Sequence, residues 1–406
     1  MELFFILLVL LVTTRAFGEI AERLDQPALV GELIAGIALG AIAANYLESY
    51  PEFTHLNESP VFQTITDLGM FFIMLYAGLE LRPSHLVRYS KSAFSVAVAG
   101  MVIPFALGVG LGYVFLPESH HFFAQCIFLG TALAVTAVPA SVRILMDLNQ
   151  LDSRSGQVIV SAAVFDDVLS LILLTWLTAL ISIDPANHFS LTDLLLNIFG
   201  FFAITTFIGL IIFPLGGKFM RNFKEKEFEM SALLIGALFF AVLAEFFDLH
   251  FIVGAFMAGL FFGRKTIDEK AYFEVKNATS AMTYGFLAPI FFASIGLNLD
   301  LSAVSAIPLF LAVLIVLAFV GKFLGAGIAA KIAGLNNKES AAVGAGMSAR
   351  GAVELVIADI ALTAGLFDNG ADSLVVDNVF SAIVLMAVIT TLVTPILLKR
   401  IYGSSI

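Results

Sequence analysis

Apolar runs long enough to cross a bilayer recur along the whole 406-residue chain, from Leu3 to Lys399, and this recurrence leaves few folds open. A hydrocarbon core about 30 Å thick needs ~20 apolar residues per helix, and by that measure there are about thirteen such runs, several interrupted by Gly, Pro or a charge. They fall near 3–22, 28–45, 62–80, 90–116, 122–146, 156–183, 191–217, 228–247, 250–264, 274–297, 303–331, 339–366 and 376–398. No water reaches unpaired backbone groups in that layer, so each run has to close its own hydrogen bonds as a helix. With 60% hydrophobic and 13% charged residues and a mean hydropathy of +0.98, the chain cannot be wrapped as a soluble globule, and no stretch remains for a separate soluble domain. The expected fold class is an all-α polytopic membrane protein.

Basic residues give the expected orientation. The first run has no basic segment before it and is followed by Arg15 rather than by a small-residue cleavage site, so it reads as a spanning helix and not as a removable leader. With the N-terminus outside, Arg15, Arg23, Arg82, Arg143, Arg154, Lys331, Lys399 and the other loop and helix-end cations all fall on the inner side, while loops such as NYLESYPEFTHLNESP and LFDNGADSLVVDN carry acids only. That is the positive-inside pattern: N-terminus out, C-terminus in. Lys322 and Arg350 are left over, both inside apolar segments.

Two aspartates, Asp166 and Asp167, stand side by side in the uncharged run GQVIVSAAVFDDVLSLILLTWLTALISI. At ~1.5 Å per residue, Asp166 lies roughly 15 Å in from Gly156, near mid-membrane. A carboxylate there costs at least ~2.5 kcal/mol on insertion scales, which makes an ion or proton pathway the default expectation. Lys322 lies at a similar depth, roughly 13 Å from the helix-end Lys331, too far for its side chain to reach the surface. Pairing with an aspartate removes most of its cost.

Two spans carry the marks of a broken helix. In ALAVTAVPASVRIL, Pro139 removes a helix hydrogen bond, and Thr136 and Ser141 offer hydroxyls in its place; in VGAGMSARGAVELV, Gly344, Gly346, Ser348 and Gly351 surround Arg350. Arg350 and Glu354 stand four apart, suited to an internal ion pair. Broken helices at the midplane are how secondary transporters build ion sites, usually in inverted repeats. The expected division is a first repeat over 1–185, a linker over 186–226 and a second repeat over 227–400. The alternative for either broken span is a kink without function. Glu32 and Glu80 are expected to anchor helix ends, Asp359 to line an outer funnel or approach the interface, and Cys126 stands alone.

QPALVGELIAGIALG, FFIMLYAGLEL, AVTAVPASVRIL, VFDDV, HFIVGAFMAGLFFG, LAPIFFASIGLNLDL and VGKFLGAG follow one another in an order and spacing that resemble the bacterial monovalent cation:proton antiporters of the NapA/NhaA-like kind, over essentially the full length. The chain is also similar to the transmembrane domain of potassium-efflux relatives, without their glutamine-aspartate pair or nucleotide-binding domain. The resemblance implies a core bundle with crossed discontinuous helices beside a dimerisation bundle, a homodimer, and a bacterial inner membrane. It implies Asp167 as the carboxylate that binds the cation, Asp166 as the ion-pair partner of Lys322, and Thr136 at an unwound stretch supplying oxygen ligands, with Arg350, Glu354, Pro139 and Ser348 in support. The only metal expected is the transported alkali cation at Asp167 and Asp166; no cofactor and no enzymatic activity are expected. Exchange of Na⁺ or Li⁺ for protons is the first expectation, electrogenic because of the Asp-Asp pair. K⁺/H⁺ exchange and a sodium-coupled symporter of the same fold are the alternatives. An intramembrane aspartyl protease needs two carboxylates converging from different helices, whereas neighbours on one helix diverge by about 100°. The net charge of −11 arises largely from acidic loops, and nothing in the sequence supports nucleic-acid binding.

Overall fold

In the computed structural model the described residues are all except 1, 25, 47–55, 57–58, 81–89, 120, 137–144, 146–149, 151–152, 182–190, 221–227, 248, 264–266, 300, 368–372 and 404–406. They form helices α1 (Glu2–Arg23), α2 (Ala28–Tyr46), α3 (Pro60–Glu80), α4 (Ser90–Phe115), α5 (Phe122–Ala134) and α6 (Arg154–Ile181). Then come α7 (Leu191–Phe207), a π-helical turn (Ile208–Ile212), α8 (Phe213–Met220), α9 (Phe228–Phe246) and α10 (Phe251–Phe261). The rest are α11 (Glu269–Met282), a second π-helical turn (Thr283–Leu287), α12 (Ala288–Leu297), α13 (Ala303–Ala306), α14 (Pro308–Ile332), α15 (Asn337–Gly346), α16 (Ala352–Thr363) and α17 (Leu374–Tyr402). Among the described residues there is no strand, and eight helical stretches are long and apolar enough to cross a membrane. The remaining expected spans fall on α2, on the continuous 28-residue α6, on the shorter α5 and α10, and on the broken α15/α16 pair.

Local chemistry sets several ends. Asp268 caps α11 by accepting from the Ala271 amide at 2.9 Å, so this helix starts before the expected residue 274. Pro308, whose missing N–H costs nothing in a first turn, starts α14 and splits the expected 303–331 run into α13 and α14. Asn336 and Glu339 form a reciprocal capping box at the start of α15.

The chain divides into two compact units, each assembled from both halves of the sequence. The first comprises Met1–Arg82 and Ile183–Asn298. In it α1 packs on α2 as α9 packs on α10, and α2 packs on α12 as α10 packs on α3. The backbones approach so closely that a Cβ at Gly36 would overlap the Ala293 carbonyl, and one at Gly296 the Leu33 carbonyl. At Gly259 and Gly78 the obstacles are the carbonyls of Leu75 and Phe256. These contacts are equivalent. VGELIAGIALG at 30–40 matches VGAFMAGLFFG at 253–263, bringing Gly36 onto Gly259 and Leu33 onto Phe256, and GLEL from Gly78 matches GLNL from Gly296. One small-residue crossing is used twice, as bilayer packing without a hydrophobic driving force between helices favours.

Polar contacts in this unit depart from the expectations. Arg15 lies within α1 rather than at a helix end; it pairs with the buried Glu32 at 3.7 Å and donates to the Tyr284 carbonyl in the second π-helical turn. Glu32 is thus an internal ion-pair partner rather than a helix-end anchor, while Glu80, at the last residue of α3, pairs with Lys276 at 3.6 Å.

The second unit comprises Pro83–Ser182 and Leu299–Ile406. Here α4 packs on α5 and α6, α14 packs on α15 and α17, and α4 and α14 pack on each other. Small residues again set the α4–α14 crossing, with Ala99 and Gly100 against Gly325 and Ala326. Beneath it, Val96, Ala97, Val158, Ile159, Ala162, Ala330, Val343 and Met347 form an apolar core with no polar side chain among them.

Candidate ion site

Two helix breaks meet in the second unit. α5 stops at Ala134 because Val135 is extended (φ −67°, ψ 150°), and the Val135 amide returns to the helix, at Thr131. The carbonyls that follow have no intrahelical donor among the described residues. Residues 137–144, Pro139 among them, lie outside the described residues. α15 stops at Gly346, and the chain passes through Met347 to Arg350 before Gly351, in extended backbone, opens α16. Thr136 Oγ1 donates to the Met347 carbonyl at 3.2 Å, so the two breaks touch. Ser348 folds back onto the Gly344 carbonyl at 2.7 Å, and Thr391 of α17 donates to the Arg350 carbonyl at 2.8 Å.

Two buried cations occupy the open end of α5. The Arg350 guanidinium donates to the carbonyls of Ala132 (2.8 Å), Leu133 and Val135, and to that of Ala318 at 3.4 Å. Lys322, projecting from α14, donates to the Ala134 carbonyl and to Asp166 Oδ1 at 3.0 Å. Four consecutive carbonyls at a helix C-terminus, where the macrodipole is negative, are thereby met by positive charge. Both cations are fully buried.

Their anions are as deep. Asp166 of α6 is fully buried, and its Oδ2 has no hydrogen-bond partner among the described residues. Glu354, in the first turn of α16, lies 3.8 Å from Arg350 Nε, an electrostatic contact without a hydrogen bond. An acid in a first turn is favoured by the dipole there. Lys322 and Arg350 are balanced in charge by Asp166 and Glu354. Asp167 follows Asp166 in α6, and its side chain lies outside the described residues.

The structure therefore brings Asp166, Lys322, Thr136, Arg350, Glu354 and Ser348 to one place. Sequence reasoning missed the larger role of Arg350: its main partners are the α5 carbonyls, with Glu354 second. It also missed Thr391. A signal existed, since Thr390, Thr391 and Thr394 stand together in the apolar second half of the final span. The unpartnered, buried Asp166 Oδ2 is a hard-oxygen group.

Spanning apolar helices, helix breaks that touch and charges gathered at the breaks define a multi-pass membrane transporter. The family model for the transmembrane sodium/hydrogen exchanger matches residues 6–402, and the chain belongs to that family. The Na⁺/H⁺-K⁺ antiporter GerN of Bacillus cereus is 32% identical over 99% of this chain and 97% of its own length. A Na⁺/H⁺ antiporter of Enterococcus hirae is 29% identical over 98% of both chains. In fold, the chain is similar to the sodium proton antiporter MjNhaP1 of Methanocaldococcus jannaschii, with a TM-score of 0.74 and 18% identity over 98% of this chain and 97% of that one.

Proposed function

We propose that this chain exchanges Na⁺ for protons by alternating access, with Asp167 binding the cation, Asp166 held by Lys322 in the absence of cation, and Thr136 beside the unwound α5 end. The observation that carries this assignment is the buried Lys322–Asp166 contact at the end of α5; in this reading an ionised Asp167, added to the balanced charges, leaves the site net negative. A site with a net charge does not cross hydrocarbon readily. A bound cation neutralises it, and so do protons. Cation and proton compete for the same carboxylates, and that competition couples their fluxes; the protonation steps belong to the coupled group rather than to one residue. Electrogenic exchange follows if Lys322 also releases a proton when the cation arrives.

The inverted-repeat division at 1–185 and 227–400 is supported by the twice-used glycine crossing and by α4–α5–α6 packing as α14–α15–α17 do. A homodimer in a bacterial inner membrane, N-terminus outside, belongs to the same proposal. K⁺ as an alternative cation is favoured by one observation, the K⁺ in the name of the GerN relative.

The test is proton flux in proteoliposomes carrying an internal pH dye, with Na⁺, Li⁺, K⁺ or choline added outside a preacidified lumen. Alkalinisation driven by Na⁺ and lost in Asp167→Asn is expected. Full activity in the variant, or no cation-dependent proton movement in the wild type, overturns the assignment.

A further inference from the structure

A cavity lies in the same unit, with Ala329 in its wall about two turns along α14 from Lys322. α4 and α14 touch at Ala99 and Gly325 and diverge towards the start of α4 and the end of α14. The wedge between them is a cavity of about 430 Å³, inside the range of roughly 300–1,000 Å³ typical of small-ligand sites. One wall is Lys91, Ser92, Ser95 and Ala99; the other is Ala329, Ile332 and, just past the end of α14, Ala333. These positions follow the helical period, since 91, 92, 95 and 99 share one face of α4, and 329 and 332 share one face of α14.

Polarity is graded along the wedge. Its mouth, at the helix ends, holds the Lys91 ammonium and the Ser92 hydroxyl on α4, opposite Ile332 at the last residue of α14; the Ser95 hydroxyl, a turn further in, donates to the Lys91 carbonyl. No acidic side chain lines it among the described residues. Deeper, the walls are Ala99 and Ala329, and along α14 the exposed Ile328 and Leu324 continue from Ile332 as an apolar strip towards mid-membrane. A free anion would use only the mouth. An occupant that uses the whole wedge has an anionic head at the helix ends and a hydrocarbon chain running inward.

We propose that the α4–α14 wedge binds an anionic phospholipid, its phosphate at Lys91 and the Ser92 hydroxyl, and its acyl chain along Ala99, Ala329 and Ile328. A basic pocket between spanning helices is the general form of such sites. This site stands apart from the antiport assignment, so its test uses stability and not transport.

Full-length protein in detergent is unfolded thermally with a thiol-reactive dye reading the buried Cys126, after addition of phosphatidylglycerol, phosphatidylcholine or sodium phosphate. Phosphatidylglycerol is expected to raise the midpoint above that in phosphatidylcholine, with no rise from phosphate. Lys91→Gln, which removes the charge, and Ala333→Trp, which fills the wedge and keeps the charge, should each remove the phosphatidylglycerol increment. Arg400→Gln, at the end of another helix, should keep it. If one wedge variant does not fold, the other decides. The proposal is overturned if the increment survives in the folded wedge variants, is lost equally in Arg400→Gln, or is reproduced by phosphate alone.

Discussion

Replacing Lys322 by methionine should harm this protein more than replacing Lys322 and Asp166 together. Both side chains are fully buried and 3.0 Å apart, so the single variant leaves a buried carboxylate without its cation, a loss of about 3–5 kcal/mol. The Ala134 carbonyl also loses its donor, which adds about 1–3 kcal/mol. In the double variant Asp166→Asn/Lys322→Met the charge term disappears, since exchanging a whole buried pair for neutral groups is often near neutral, and only the carbonyl term remains. The single variant is then less stable than the double by at least about 3 kcal/mol. With an unfolding entropy of about 2.1 cal/mol/K per residue, a 406-residue chain loses at least about 3 °C of midpoint in the single variant relative to the double. The shift is larger still where helices persist in detergent, because less entropy is then gained. The assay is thermal unfolding read at Cys126. A single variant no less stable than the double would refute the reasoning.

Three further outcomes are expected. Arg350→Lys should abolish most transport despite keeping the charge, because an ammonium cannot reproduce the planar fork that meets Ala132, Leu133 and Val135; rates at least about tenfold lower in the proteoliposome assay would agree, and near wild-type rates would not. Gly259→Val should lower the thermal midpoint by about 1–3 kcal/mol of overpacking, since its side chain meets the Leu75 carbonyl, and Gly36→Val should match it if the crossing is truly duplicated. Half-saturation for Na⁺ should rise as pH falls, by about tenfold per pH unit for one displaced proton and more for two; a pH-independent value would exclude competition at one site.

Much of this was written in the sequence, because a bilayer turns composition into geometry. A run of spanning length must be helical there, so the helices, the deep placement of Asp166 and Lys322, and the breaks around Thr136 and Arg350 could all be read without coordinates. The internal duplication was equally present in VGELIAGIALG and VGAFMAGLFFG, but five shared residues in eleven mean little until the structure shows that the same glycines meet the same carbonyls. What only tertiary structure decided is which groups answer which. Arg350 has an obvious partner four residues on, in Glu354, yet its guanidinium is spent on carbonyls 215 and more positions away in sequence. Arg15, one cation among many in the chain, lies inside a helix against Glu32. Local sequence specifies where a helix must stop, since backbone geometry is local. It does not specify what satisfies the carbonyls left open, because those donors arrive through packing from helices elsewhere in the chain.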